Sequence, residues 1–315
     1  MIGLETVPRF KASERSYVEL EKWERKGKPV DIIEHPLITA PFMATAVAFS
    51  DESSVSFTKN ETSGSSTDAL TLESIRQSLI RQEDTIVFSL IERAKFPLNS
   101  PAYNESSLEI PGFCGSLVQY VVKETEAIQA KIGRYESLEE HPFFPDDLPK
   151  PVVTPYNYPQ VLHSAAASIN INKIIWDMYF NKLLPLFVAE GNDGNYGPTA
   201  AADLDCLQAL SRRIHYGKFV AEAKFRDAPQ DYGPAIRAQD KDALMKLLTF
   251  ESVEEMVKRR VEKKAMVFGQ DVTLDDKGDN GKYKIDPSIV SRLYGEWVMP
   301  LTKDVQVLYL LRRLD

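Results

Sequence analysis

Apolar positions recur at helical spacing over long stretches of the chain, and no stretch of useful length alternates with the period of two that a half-buried strand shows. Ile75, Leu79, Ile86 and Leu90 form one stripe, which predicts a helix from about Leu72 to Lys95, stopping before Pro97. Thr71 is placed to cap it, and Glu73 stands in its first turn, where the helix dipole favours an anion. A second helix is expected over Leu117 to Tyr135, with Leu117, Tyr120, Val121, Thr125, Ile128 and Ile132 turned inward. Others are expected over Asn170 to Phe187, Thr199 to Phe225, Ala235 to Leu248, Ser252 to Phe268 and Ser288 to Arg313, the last kinked at Pro300. Pro97, Pro101, Pro111 and Gly112 mark the first connection, and Glu190 to Pro198 is a glycine-containing turn. The run from His141 to Pro159 holds too many prolines for a helix or a central strand, so its Phe143–Phe144 pair is expected to pack on the helices. The pattern predicts an all-α, multi-helix fold.

The N-terminal part differs. Residues 51–69 are polar and rich in Ser and Thr, with too little apolar surface to order themselves. Before them, Met1 to Pro41 carries seven acidic residues, Glu5, Glu14, Glu19, Glu21, Glu24, Asp31 and Glu34, unlike an acidic-poor transit peptide. Met43 opens a stretch with the look of a chain start. Residues 1–69 are expected to be an extension and linker outside a folded domain spanning 70–315.

The 315 residues are 43% hydrophobic and 27% charged, which points to a soluble globular protein. A net charge of −8 argues against nucleic acid as a partner, and any anionic ligand must be held by local cations. No apolar run is long enough to cross a bilayer. Cys114 and Cys206 give neither a disulfide framework nor metal spacing and are expected to be reduced and semi-buried. His35, His141, His163 and His215 form no HExxH cluster, and the glycine turn lacks nucleotide-binding spacing. No metal or cofactor is expected.

The candidate chemistry lies in SRRIHYGKFVAEAKF, Ser211 to Phe225. Arg213 and Lys224 are eleven positions apart, about three helical turns, so both project from one face. Gly217 and Val220 between them leave room beside the charges, which suits a small ligand with more than one negative group. The same spacing also fits an ordinary solvated basic face.

Four segments carry a resemblance. They are SLIRQEDTIVFSLIERAKF (Ser78 to Phe96), GRYESLEEHPFFPD (Gly133 to Asp146), DLDCLQALSRRIHYGKFVAEAKF (Asp203 to Phe225) and PLTKDVQVLYLLRRLD (Pro300 to Asp315). In this order they resemble the all-helical (AroQ-type) chorismate mutases of plants and fungi, the plant form above all, over Leu70 to Asp315. The resemblance implies a homodimeric enzyme that rearranges chorismate to prephenate in phenylalanine and tyrosine biosynthesis. That reaction is intramolecular and pericyclic, so it needs no nucleophile, metal or cofactor. It needs a dianion held in a compact conformer and donors aimed at the breaking ether bond. By the resemblance, Arg76 and Arg213 bind carboxylates and Lys224 donates toward the ether oxygen. Glu254 meets the hydroxyl, and Thr302 and Gln306 complete the set. Two positions depart from the fungal pattern, which has glutamate at Gln306 and asparagine at Phe250.

The resemblance also implies regulation by tryptophan, tyrosine and phenylalanine at a dimer-interface site. Gly133 and Arg134 would form one part of it, and Gly194, Asn195, Gly197 and Pro198 the other. Purely structural roles for these glycines, as helix ends or bends, explain them equally well. A helical interaction module that has lost activity is the alternative to the enzyme. The acidic N-terminus favours the cytosol, and the effector-type glycines favour the plastid stroma.

Overall fold

The computed structural model describes residues 70–270 and 282–315, so the expectations for residues 1–69 lie outside the described residues. The described part is helical. In chain order it holds α1 (Leu72–Arg93), α2 (Leu117–Lys131) and α3 (Asn172–Met178). A π turn (Tyr179–Leu183) leads into α4 (Leu184–Phe187), followed by α5 (Tyr196–His215), α6 (Gly217–Asp227) and α7 (Pro229–Arg237). Then come α8 (Lys241–Leu248), α9 (Glu251–Gly269), α10 (Pro287–Leu293), a second π turn (Tyr294–Val298) and α11 (Met299–Leu310). Among the described residues the only β pairing is an isolated antiparallel bridge between Gln270 and Tyr283.

The helix starts follow local chemistry. Thr71 caps α1 in a capping box, its hydroxyl accepting from Ser74 N–H at 3.1 Å while Ser74 Oγ accepts from Thr71 N–H at 3.2 Å. Ser116 and Gln119 do the same for α2. Each π turn runs into a helix with proline in its first turn, Pro185 and Pro300. A proline offers no N–H and crowds the carbonyl four residues back, and the wider π turn accommodates both. The kink expected at Pro300 takes this form.

Three expectations are corrected. The helix predicted over Ala235 to Leu248 is two helices, because Gln239 adopts a left-handed φ of 52° and Asp240 caps a fresh start. In α2 the buried residues are Val118, Val122, Glu126 and Ala130, whereas Ile128 and Ile132 are exposed. The helix is turned because Glu126 faces in and accepts the N–H groups of Phe143 (2.7 Å) and Phe144 (2.9 Å), tying down the proline-rich run. Phe143 is buried in the core, as expected of that pair, and Phe144 packs against it. Cys206 is fully buried and Cys114 is exposed, so neither is semi-buried.

Helix α5 is the axis of the domain, packing on α1, α2, α3 and α11 through Leu204, Leu207, Leu210 and Ile214. Burying each such side chain contributes about 1.5–3 kcal/mol before chain entropy is subtracted. A polar knot crosses this core. Asp203 accepts from Arg93 Nε at 2.6 Å, Tyr103 at 2.7 Å and Tyr179 at 2.7 Å, and Arg93 also donates to the Phe96 carbonyl. Every member has a partner, which makes burial of the charges tolerable. Helix α9 is held to α1 by Arg260, whose guanidinium forks onto buried Glu83 at 2.9 and 2.6 Å.

Candidate active site

The site is built where α6 meets α11. At the α5–α6 junction the Tyr216 carbonyl accepts from both Phe219 and Val220 N–H (3.0 and 3.3 Å), so the single predicted helix tightens here rather than ending. Helix α1 packs on both α5 and α6 beside this junction, and Tyr216 is buried there. Directly after it, Gly217 lies against α11. A Cβ there would stand 2.6 Å from the Thr302 carbonyl oxygen and 3.4 Å from Gln306 Cγ. The space beside Gly217 is therefore occupied by α11, and the expectation that it leaves room for a ligand is corrected.

This close approach brings Thr302 to Arg213. The Thr302 hydroxyl donates to the Val298 carbonyl at 2.6 Å and accepts from Arg213 Nη1 at 3.3 Å. Arg213 is 6% exposed, its guanidinium is 5.9 Å from the Tyr294 ring centroid, and its Nε has no protein partner. One turn on, Gln306 makes only a long 3.4 Å bond to the Thr302 carbonyl, and its Oε1 is buried without a partner. Buried polar atoms are nearly always satisfied, so two unsatisfied ones on neighbouring side chains mark a place where a polar ligand completes the set.

The neighbouring residue on α11 links a second group. Lys303 Nζ donates to Glu254 Oε1 at 2.7 Å and to Thr249 Oγ1 at 3.3 Å. Glu254 lies in the first turn of α9, and its charge acts on Lys224. The Lys224 ammonium sits 4.9 Å from the centroid of the Phe250 ring. Desolvation pulls the Lys224 pKa down to about 8, with Glu254 opposing the shift and Lys303 adding to it.

The structure thus gathers Arg213, Thr302 and Gln306 as one group and Lys224 and Glu254 as another, joined through adjacent Thr302 and Lys303. Arg76 is half-buried on α1, the helix that packs on both α5 and α6 and so on the junction that positions Arg213. Sequence reasoning missed Lys303, which stands next to a named residue, and missed that Gly217 is a contact for α11. A glycine at a charge-flanked position signals close approach as readily as empty space.

Of the expected effector residues, Gly133 (φ 82°) follows the end of α2 and Gly194 (φ 80°) lies before α5. Gly197 and Pro198 fall in the first turn of α5, with open space at Gly197, and Asn195 donates from its N–H and Nδ2 to Asp193. Arg134 Nη1 donates to Gln208 and Nη2 to Glu140, both at 2.9 Å. Gln208 is ten residues along α5 from Pro198, roughly 15 Å, so Arg134 is not placed at the 194–198 turn of its own chain.

An all-helical domain in which a buried arginine, a buried amide and a half-buried lysine converge is built to hold a small anion bearing more than one polar group. Residues 195–307 match the family model described as chorismate mutase type II. "Chorismate mutase 2" of Arabidopsis thaliana is 67% identical over 249 residues, 78% of this chain and 94% of that one. "Chorismate mutase 1, chloroplastic" of the same plant is 58% identical over 257 residues, 79% of this chain and 76% of that one. Among solved structures, AtCM1 with tyrosine bound in its allosteric site superposes with a TM-score of 0.73 at 59% identity, covering 79% of this chain and 99% of that one. The chain belongs to the chorismate mutase family, whose members are isomerases.

Proposed function

We propose that the chain converts chorismate to prephenate, with the catalytic set Arg76, Arg213, Lys224, Glu254, Thr302 and Gln306. The observation that carries this is the pair of buried, unsatisfied groups, Arg213 Nε and Gln306 Oε1, beside a desolvated lysine and a carboxylate. In this reading Arg76 and Arg213 hold the two carboxylates and so favour the compact reactive conformer. Lys224 donates toward the ether oxygen as its bond to carbon breaks and negative charge gathers there, and Gln306 joins it once its amide turns, giving up the long 3.4 Å bond to the Thr302 carbonyl so that Nε2 rather than Oε1 faces the substrate. Glu254, held in place by Lys303 at 2.7 Å, accepts from the substrate hydroxyl. Thr302 orients the Arg213 guanidinium. Neither proton transfer nor a covalent intermediate is required. Loss of chorismate absorbance with purified protein tests the reading, and a folded protein without turnover would return the alternative of an inactive helical module.

We infer further that the enzyme is a homodimer regulated by aromatic amino acids, inhibited by phenylalanine and tyrosine and activated by tryptophan. Exposed Ile128 on α2 and Ile132 just past its end stand beside exposed Val152 and Val153, whose segment is tied to α2 by Val152 N–H on the Lys131 carbonyl. Such a patch favours a partner surface. The separation of Arg134 from the 194–198 turn fits an effector site whose halves come from different protomers. Turnover unchanged by saturating tyrosine and tryptophan would remove the regulation, and a monomeric mass in solution would remove the dimer. No described helix is long and apolar enough to cross a membrane. We place the protein in the cytosol on its acidic N-terminus, and a full-length fluorescent fusion found in plastids would reverse that assignment.

A further inference from the structure

We propose that Phe250 is the positioning residue of Lys224, its ring face seating the ammonium and fixing both its aim and its hold on the proton. The proposal rests on the reading of Lys224 as the donor to the ether oxygen.

The position itself calls for another residue type. Phe250 is the N-cap of α9, with extended backbone (φ −129°, ψ 93°) and no side-chain cap bond. Ser, Thr, Asp or Asn would stabilise the helix start there, and an aromatic ring contributes nothing to it. The ring instead lies 4.9 Å from Lys224 Nζ, within the range in which the negative face of an aromatic ring attracts a cation. The Phe250 carbonyl accepts from Glu254 N–H at 3.0 Å, so the ring and the carboxylate are one helical turn apart on the same element. The charged groups acting on Lys224 are Glu254 from α9 and Lys303 from α11. Glu254 favours the ammonium but is shared with Lys303 at 2.7 Å, and the ring face adds a second contact that favours the charge.

The ring acts in two opposed ways. It excludes water, which lowers the pKa of Lys224, and its face attracts the charge, which raises it. Substitutions separate the two. Phe250→Leu keeps water out but has no negative face, so the basic limb of kcat/KM moves to lower pH, by about one unit. Phe250→Asn admits water and relieves the desolvation, so the limb moves to higher pH. Phe250→Tyr keeps the face and restores the wild-type limb. A residue that merely supported the fold would move the limb in none of them.

The experiment measures kcat/KM for chorismate from about pH 6 to about pH 10, where the limb reports the free enzyme. It uses the full chain, wild type and the three variants, with Lys224→Ala as control and folded fraction matched by circular dichroism. Opposite shifts for the leucine and asparagine variants are expected. A limb unmoved in the leucine variant overturns the proposal. Should that variant fail to fold, an unmoved limb in the asparagine variant does so. Lys224→Ala separates the two layers. If it abolishes turnover while the limbs stay fixed, only the role of Phe250 falls. If it turns over as wild type, the site reading falls with it.

Discussion

A methyl group on Gly217 would stand 2.6 Å from the carbonyl oxygen of Thr302, closer than real side chains approach backbone. Helices α6 and α11 therefore touch main chain to main chain, and this contact sets the distance between Arg213 and the Thr302–Gln306 pair. In an open helix Gly→Ala stabilises by roughly 0.5–1 kcal/mol. At Gly217 the sign reverses, because the atom in the way is backbone. Gly217→Ala is expected to cost about 1–3 kcal/mol and to lower kcat by displacing Thr302 and Gln306. Gly197→Ala, with nothing of its own chain within 4 Å, serves as the control in the absence of effector and holds or raises the melting temperature. Thermal melts and turnover on the two variants check the contrast.

Removing a preorganised donor from an active site costs about 2.7–4 kcal/mol of transition-state stabilisation, or 10²–10³ in kcat. Arg213→Ala and Lys224→Ala are each expected to fall in that range while the helical circular dichroism signal is retained. Their cationic ends face a polar site rather than a packed apolar core. A loss of less than tenfold in both would place the chemistry elsewhere.

The helices were largely legible because α1, α5 and α9 carry apolar stripes of helical period, and in α1 Thr71 also marks the start. The facing of α2 was not. Its polar Glu126 is buried by bonds to two backbone N–H groups seventeen and eighteen residues away, which no local period encodes. The division at Tyr216 and the role of Gly217 depend in the same way on α11, which lies far along the chain. Of the site, the spacing of Arg213 and Lys224 was readable from α5 and α6 alone. Arg76, Glu254, Thr302 and Gln306 were named by resemblance, since nothing local joins three separate helices.

Gln306 donates through an amide whose state does not change with pH, whereas a glutamate there would have to be protonated to donate. Turnover is therefore expected to hold level through neutrality, and Gln306→Glu to confine it to acid pH. The basic side is set by Lys224, which acts as the ammonium. With its pKa lowered to about 8, kcat/KM should decline above that pH. A steep loss between mildly acidic and neutral pH in the wild type would contradict the role given to Gln306.

Lys218, on α6 between the two cations, makes a different pH prediction. It is fully buried, with Nζ donating to His141 Nε2 at 2.6 Å and to the Ala166 carbonyl at 3.2 Å. His141 stacks on His215 at 4.0 Å, and burial lowers both imidazoles, His215 to about 3, so both are neutral at physiological pH. Burial also lowers the Lys218 pKa from 10.5 to about 7. Between these values the unfolded chain binds a proton at Lys218 that the folded chain does not, so stability rises with pH across that window. Relative to Lys218→Met, the wild type should gain about 1.4 kcal/mol per pH unit above pH 7, levelling off near the unfolded pKa. Urea denaturation of both proteins at several pH values measures this difference, and the other ionisations common to both cancel in it. A difference independent of pH would mean that Lys218 remains charged in the core, held by its two acceptors alone.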